Sequence, residues 1–262
     1  MEIKKLTAAR GWTWIKQGYQ LLMRSPILAL STALIGAMGI LLAMMAPYIG
    51  SLLAVLLMPV LLAGYMRICR ALEQEEEVEL ADLFAGFKHN TPSLITLGAI
   101  LMMGMLLASM VMVAVGGTAL TTLINQVQTA NDPQILMDAL GNADGNIGLA
   151  VLLGFSLMFA LIMAWQFAPM LVFFSDLTPF AAIHASFVGT LRNLLPYAVY
   201  FILTQALAVL LGILPFGIGL IFLLPLGLAS LYVSYRNIFP WLDEPVPVVA
   251  NEADKNSADL NS

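Results

Sequence analysis

Long apolar runs separated by short polar segments dominate this chain. A helix that crosses the hydrocarbon core of a bilayer needs roughly 20 apolar residues at a rise of about 1.5 Å each. We therefore predict an all-α, polytopic membrane protein with six transmembrane helices. The six uncharged runs cover residues 27–46, 49–66, 94–115, 147–174, 197–214 and 217–235.

A short amphipathic stretch precedes each pair of apolar runs. These stretches end at Pro26, Pro92 and Pro196, since proline cannot continue a helix that precedes it. We predict three amphipathic helices that lie in the membrane interface. The residues at helical spacing are Trp12, Ile15, Tyr19 and Leu22 in the first and Leu80, Leu83, Phe84 and Phe87 in the second; in the third, Phe180, Ile183, Phe187, Leu191 and Leu194 are expected to face inward.

A proline also interrupts the second run of every pair, at Pro59, Pro169 and Pro225. Proline lacks a backbone donor and displaces the carbonyl four residues earlier, so we predict a helix kink at each position. The recurrence predicts three tandem units, each an amphipathic helix followed by a hairpin; generic similarity among apolar runs is the alternative. The units would cover residues 8–70, 78–176 and 177–240 of a single membrane domain, 1–240.

Composition and charge agree with a membrane protein and predict its orientation. Charged residues make up 10% of the chain and hydrophobic residues 60%, with a mean hydropathy of +0.90. Soluble domains have about a quarter of their residues charged. All 11 Lys and Arg residues lie before the first run, between the second and third runs, between the fourth and fifth, or after the sixth. The positive-inside rule then predicts that both termini are cytoplasmic.

Two polar segments lie outside the predicted spans. Residues 116–146 carry only acidic charges, at Asp132, Asp138 and Asp144, and we expect them to form a flap on the opposite membrane surface, with two short helices. Residues 241–262 are acidic with few apolar residues, and we predict a disordered cytoplasmic tail.

The candidate residues for chemistry are few. The sequence has no Ser/His/Asp set, phosphate-binding loop or metal-ligand spacing, and its only histidines, His89 and His184, fall in amphipathic stretches. We therefore predict a protein that is not an enzyme and uses no metal or cofactor. No charged residue occurs inside a span, which argues against an ion-coupled pump.

Polar side chains beside the fourth-span kink form the one candidate ligand site. Trp165 and Gln166 precede Pro169, while Thr204 and Gln205 lie at a similar predicted depth in the fifth span. These four residues would line a polar spot in an apolar interior. Alternatively, the two amides only pair with each other and hold the helices together.

Several short motifs carry a resemblance to known proteins. The chain resembles a group of uncharacterised six-span bacterial inner-membrane proteins, similar to the membrane domain sometimes fused to glycerophosphodiester phosphodiesterases. The likeness covers most of residues 10–240, and because the sequence contains no phosphodiesterase domain, it implies no catalytic residue here. The motifs are Trp14 and Gly18, residues 82–87, residues 176–179 followed by Ser186 and Asn193, and the proline of each returning span.

Two functional hypotheses follow from this pattern. The first is a non-enzymatic membrane protein that binds or scaffolds a partner protein or a lipid-like ligand. The second is a passive channel along a pseudo-threefold axis that relates the three units. The expected partners are membrane lipids, with a protein partner or a second copy of the chain as further possibilities, and no nucleic acid. A continuous polar pore would favour the channel, and a sealed apolar core would favour binding.

Overall fold

The computed structural model describes residues 3–130, 145–213 and 218–240, and these segments are helical, without a β-strand. Several helices begin with a proline in the first turn, where the backbone N–H that proline lacks would have no partner within the helix. The elements are α1 (Arg10–Arg24), α2 (Pro26–Met44), α3 (Gly50–Gln74), a 3-10 helix (Leu80–Phe87), α4 (Thr91–Ala130), α5 (Gly145–Trp165), α6 (Ala168–Ser175), α7 (Pro179–Arg192), α8 (Leu194–Gly212) and α9 (Ile218–Ile238).

The prediction of six membrane-spanning helices in an all-α protein is confirmed. In the part of the chain that the structure describes, six helical segments are long and apolar enough to cross a bilayer: Pro26–Met44, Gly50–Gln74, Thr91–Leu123, Gly145–Ser175, Leu194–Gly212 and Gly219–Ile238. Ion pairs of arginine with glutamate mark one end of the bundle, which we call the charged end: Arg24 with Glu75, Arg67 with Glu76 and Arg236 with Glu73. The opposite end is called the distal end.

The fourth span is broken rather than continuous. Its first part, α5, has 21 residues and a length of about 31 Å, which alone matches a hydrocarbon core of about 30 Å. The chain then turns at residues 166–167 and continues as the eight-residue helix α6. The excess length of this apolar run therefore forms a second short helix at the charged end.

The three predicted kink residues occupy two kinds of position. Pro59 and Pro225 lie inside α3 and α9, whereas Pro169 lies in the first turn of α6, where no intrahelical donor is needed. The carbonyl displaced by Pro59 belongs to Val55, and α4 covers it at Gly98. A β-carbon at Gly98 would lie 2.7 Å from that oxygen, so only glycine permits this approach.

The apolar faces of the amphipathic helices are only partly buried. In α1, Ile15 and Leu22 are buried, whereas Trp12 and Tyr19 are 57% and 54% exposed. In lipid, apolar side chains gain little from turning inward, while small ones such as Gly189 in α7 allow close helix contact. In the 3-10 helix Leu83 is buried, and the exposed residues are Leu80, Phe84 and Phe87. The inward face predicted for the third helix was wrong at Phe180, Leu191 and Leu194, which are exposed.

Each amphipathic helix packs against a returning span of the preceding hairpin. The 3-10 helix packs on α3, α7 packs on α5 and α6, and α1 packs on α9, which closes the arrangement between the ends of the chain. An N-terminal segment reinforces that closure, because Asn193 accepts a hydrogen bond from the Leu6 amide and donates one to the Lys4 carbonyl. This packing order is compatible with three tandem units. The repeat and its boundaries stay a prediction.

Aromatic rings fill the bundle at the charged end. Phe167 lies at the α5–α6 junction, with its ring centroid 5.5 to 6.1 Å from those of Tyr197, Tyr235 and Phe239. Trp14 of α1 extends the group, 4.9 Å from Tyr197. We call these five residues the aromatic cluster. It joins α1, α8 and α9 to the broken fourth span.

The flap prediction is only partly covered by the described residues. Helix α4 continues to Ala130 with a break at Gly117, whose φ of 58° suits glycine. Leu120 and Leu123 beyond the break pack against Ile147 and Ala150 of α5. The second flap helix, expected at Asp132, and the tail 241–262 lie outside the described residues.

Candidate functional site

An open cavity of about 380 Å³ lies at the charged end, between the C-terminal ends of α3 and α6 and the turn that precedes α4. Two arginines, two carboxylates and a histidine line it above two phenylalanine rings. The lining residues are Arg67, Arg70, Gln74, Glu76, His89, Phe173, Phe174 and Asp176.

Helix α3 supplies one wall of the cavity because it continues for two turns beyond the apolar run. Arg67, Arg70 and Gln74 follow one another at spacings of three and four residues and share a helix face. The helix ends at Glu75, whose φ of 59° is left-handed and turns the chain back. This turn places Glu76 Oε2 2.9 Å from Arg67 Nη2.

The opposite wall is built by two residues with unusual backbones. Asp176 ends α6 with a φ of 50°, and Asn90 precedes α4 with a φ of 56°. Positive φ is uncommon outside glycine, although Asn and Asp tolerate it best. Asn90 Nδ2 donates to Asp176 Oδ1 at 2.6 Å and to the Val172 carbonyl at 3.0 Å. His89 Nε2 lies 3.2 Å from the same Asp176 oxygen, so this carboxylate is held in place from two sides.

The floor of the cavity is aromatic. The Arg70 guanidinium lies 5.4 Å from the centroid of the Phe174 ring, within the range of a cation–π contact. The His89 ring meets the Phe173 ring edge to face at 5.5 Å. Because these contacts restrain the long side chains, the cavity walls are partly ordered before any ligand arrives.

The position of the cavity along the spans sets its depth. Arg67 directly follows the apolar run 49–66, and Asp176 comes two residues after the run 147–174. Charged groups at the ends of apolar spans lie at the level of the lipid headgroups. Arginines there suit a phosphate, and carboxylates suit a cation.

The predicted ligand residues are not joined by hydrogen bonds in the part of the chain that the structure describes. Gln166 Nε2 donates to Thr190 Oγ1 at 2.6 Å, and Thr204 donates to the Tyr200 carbonyl of its own helix. Gln205 is exposed on α8. The prediction that Gln166 and Gln205 lie at a similar depth requires a helix that continues beyond Gln166. The break at 166–167 interrupts this helix, so that reason for placing the two residues together does not hold. A ligand-binding role for Trp165, Gln166, Thr204 and Gln205 stays a prediction.

Two hydroxyl residues of α7 explain the break itself. Ser186 Oγ accepts from the Phe167 amide at 3.1 Å and donates to the Met163 carbonyl at 2.9 Å, so it stands in place of the helical bond between those groups. Thr190 Oγ1 donates to the Ser186 carbonyl and accepts from Gln166. A side chain inserted into a helix ladder is a recognised cause of a sharp kink. Pro169 lies next to the break in the sequence, but no neighbouring residue indicates that Ser186 bonds the backbone there.

No metal site accompanies this geometry within residues 3–130, 145–213 and 218–240, because no three His, Cys, Asp or Glu side chains there are grouped to hold an ion.

Comparisons with known proteins agree with a membrane protein. A protein of Burkholderia thailandensis named "probable inner membrane protein" is 28% identical over 284 aligned residues, which cover 97% of this chain and 100% of that protein. No protein-family model matches the chain, and no solved structure matches it. The likeness to glycerophosphodiester phosphodiesterase membrane domains stays a resemblance. Together, the relative and the six apolar helices support an integral, multi-pass protein of the inner membrane.

Proposed function

We propose that this protein is a non-enzymatic lipid-binding protein that holds the phosphate-bearing headgroup of a membrane lipid at its charged end. The observation that carries the proposal is the open cavity that Arg67 and Arg70 both line, with the Arg70 guanidinium over the Phe174 ring. Guanidinium groups bind phosphate oxygens through paired, charge-assisted hydrogen bonds.

The ion pair between Arg67 and Glu76 is compatible with such a ligand. Its side chains are 33% and 46% exposed, and exposed pairs of this kind contribute only about 0 to 1 kcal/mol. A phosphate can therefore replace the glutamate at the guanidinium at little cost. The Arg70 guanidinium lies 5.4 Å from the centroid of the Phe174 ring, and this contact restrains it beside the cavity.

The surface of the amphipathic helices supports a membrane lipid as the source of the phosphate. The amphipathic helices expose large aromatic side chains, among them Trp12, Phe84 and Phe180. Aromatic residues concentrate at the membrane–water interface. The basic residues of this end further support a cytoplasmic location for the cavity, as the positive-inside rule predicts.

The aromatic cluster argues against the alternative of a passive channel. Its rings pack at centroid distances of 4.9 to 6.1 Å where the broken fourth span meets α8 and α9. Phe167 and Phe239 are almost fully buried there. A continuous water-filled path needs polar groups along its walls, and aromatic packing of this kind favours the binding hypothesis.

Lipid titration of the purified full chain tests the proposal. We expect the double variant Arg67→Gln, Arg70→Gln to bind a phosphate-bearing lipid at least about 100-fold more weakly by native mass spectrometry, because two charge-assisted bonds, each worth about 1.5 to 3 kcal/mol, are lost. Arg192→Gln is the matched control, since Arg192 is exposed on α7 and does not line the cavity. Equal affinity of wild type and double variant, with both folded, would refute the proposed function.

A further inference from the structure

We propose that the cavity selects a headgroup in which a primary ammonium group lies beside the phosphate, as in phosphoethanolamine. This inference rests on the proposed function and concerns the carboxylate side of the same cavity. Glu76 and Asp176 face a space that Arg67 and Arg70 share with them. A ligand with a phosphate alone would compete with the two carboxylates for the arginines and would supply no cation in exchange.

Asp176 is positioned to accept hydrogen bonds from a ligand. Both of its side-chain contacts in the described part of the chain, from Asn90 and with His89, are made by Oδ1. The other oxygen, Oδ2, is therefore available, and the side chain is 72% exposed. Because Asn90 and the left-handed backbone hold this carboxylate in place, a ligand gains the interaction without ordering a flexible side chain.

Glu76 offers a second acceptor on the facing wall. Its contact with Arg67 is made through Oε2. An ammonium group has three donors and no acceptor, so it can bond to both carboxylates at once. Arg67 would then exchange the Glu76 carboxylate for the phosphate, and Glu76 would exchange the guanidinium for the ammonium group. Neither side chain would lose an oppositely charged partner.

Other common headgroups fit the same groups less well. A glycerol headgroup carries no cation, so the two carboxylates would stay opposed to the phosphate. A quaternary ammonium has no donor and is recognised by several aromatic faces. In this cavity Arg70 already lies over the Phe174 ring, and His89 meets Phe173. The geometry therefore favours the primary amine.

Titration with lipids that share acyl chains tests the inference on the full chain. We expect phosphatidylethanolamine to bind about tenfold more tightly than phosphatidylglycerol or phosphatidylcholine, as one charge-assisted contact implies. Asp176→Asn keeps the side-chain shape and tolerates the left-handed backbone. This variant should lose the preference while it still binds phosphatidylglycerol. Glu76→Gln, read by the same titration, provides a second variant if Asp176→Asn does not fold.

The outcomes separate the two proposals. If wild type binds the three lipids equally and the arginine double variant binds none, the selectivity is wrong and the proposed function stands. If the arginine variant binds like wild type, the proposed function itself fails and the selectivity with it. A preference that Asp176→Asn and Glu76→Gln both leave intact also overturns the selectivity. Binding of free phosphoethanolamine without any binding of the lipid would assign the same chemistry to a soluble ligand and overturn the lipid as its source.

Discussion

Replacement of Ser186 by alanine removes the side chain that holds the break in the fourth span. Ser186 is fully buried, and its hydroxyl serves two backbone groups, the Phe167 amide and the Met163 carbonyl. Alanine fits the same space and makes neither bond. The substitution therefore isolates the hydrogen bonds from the packing of α7 on α5.

The expected cost follows from the two hydrogen bonds that are lost, at the Phe167 amide and the Met163 carbonyl. A buried backbone group left without a partner costs about 1 to 3 kcal/mol. Part of this cost is recovered because Thr190 Oγ1 lies 3.3 Å from the same Met163 carbonyl. Interhelical hydrogen bonds in membrane proteins also average only about 0.6 kcal/mol. We expect Ser186→Ala to destabilise the protein by about 1 to 3 kcal/mol in total.

Thermal unfolding in one detergent measures the effect. Ser156→Ala is the matched control, because the Ser156 hydroxyl is exposed on α5 and bonds only the Leu152 carbonyl of its own helix. The control should change the free energy of unfolding by less than about 0.5 kcal/mol. Equal midpoints for Ser186→Ala, Ser156→Ala and wild type would refute the inserted hydroxyl as the support of the break.

Three further predictions concern the packing and the orientation. Gly18→Ala should destabilise by about 1 to 2 kcal/mol in the same unfolding assay, because its β-carbon would lie 2.8 Å from the Ser230 amide nitrogen; Gly36→Ala, with 3.8 Å to its nearest neighbour, should be neutral or slightly stabilising. Glu73→Gln should cost about 1 to 3 kcal/mol in chemical denaturation, since it removes the partly buried ion pair that ties α3 to α9; an unchanged denaturation midpoint contradicts this role. A cysteine at position 138 should react with an impermeant reagent in intact spheroplasts if the basic residues are cytoplasmic; labelling only after lysis would reverse the orientation.

The spans could be predicted from the sequence because lipid imposes a simple rule on composition. Uncharged runs such as 49–66 and 197–214 can lie only in hydrocarbon, and the helices begin and end within a few residues of them. The exceptions are α3, which continues to Gln74, and α4, which continues past a break at Gly117 to Ala130. The side chains that face inward could not be predicted in the same way. In lipid a large apolar residue such as Phe180 is at no disadvantage outside, so helical periodicity does not identify the packed face.

The candidate site could not be predicted from the sequence, for a different reason. Arg67, His89 and Asp176 are far apart in the chain, and each alone resembles an ordinary charged residue at a span end. Their approach depends on left-handed turns at Glu75, Asn90 and Asp176, which no local motif specifies. The break in the fourth span could be predicted only in part. Pro169 lies next to it in the sequence, whereas Ser186, which supports it, lies 17 residues further on.

Density for lipids in a structure of the full chain, solved in nanodiscs cut from native membranes, tests the central claim most directly. The account predicts a headgroup in the cavity, with phosphate oxygens within hydrogen-bond distance of the guanidinium groups of Arg67 and Arg70. Ordered lipids elsewhere around the spans, with the Arg67–Glu76 pair closed over a cavity that holds no headgroup, would contradict it.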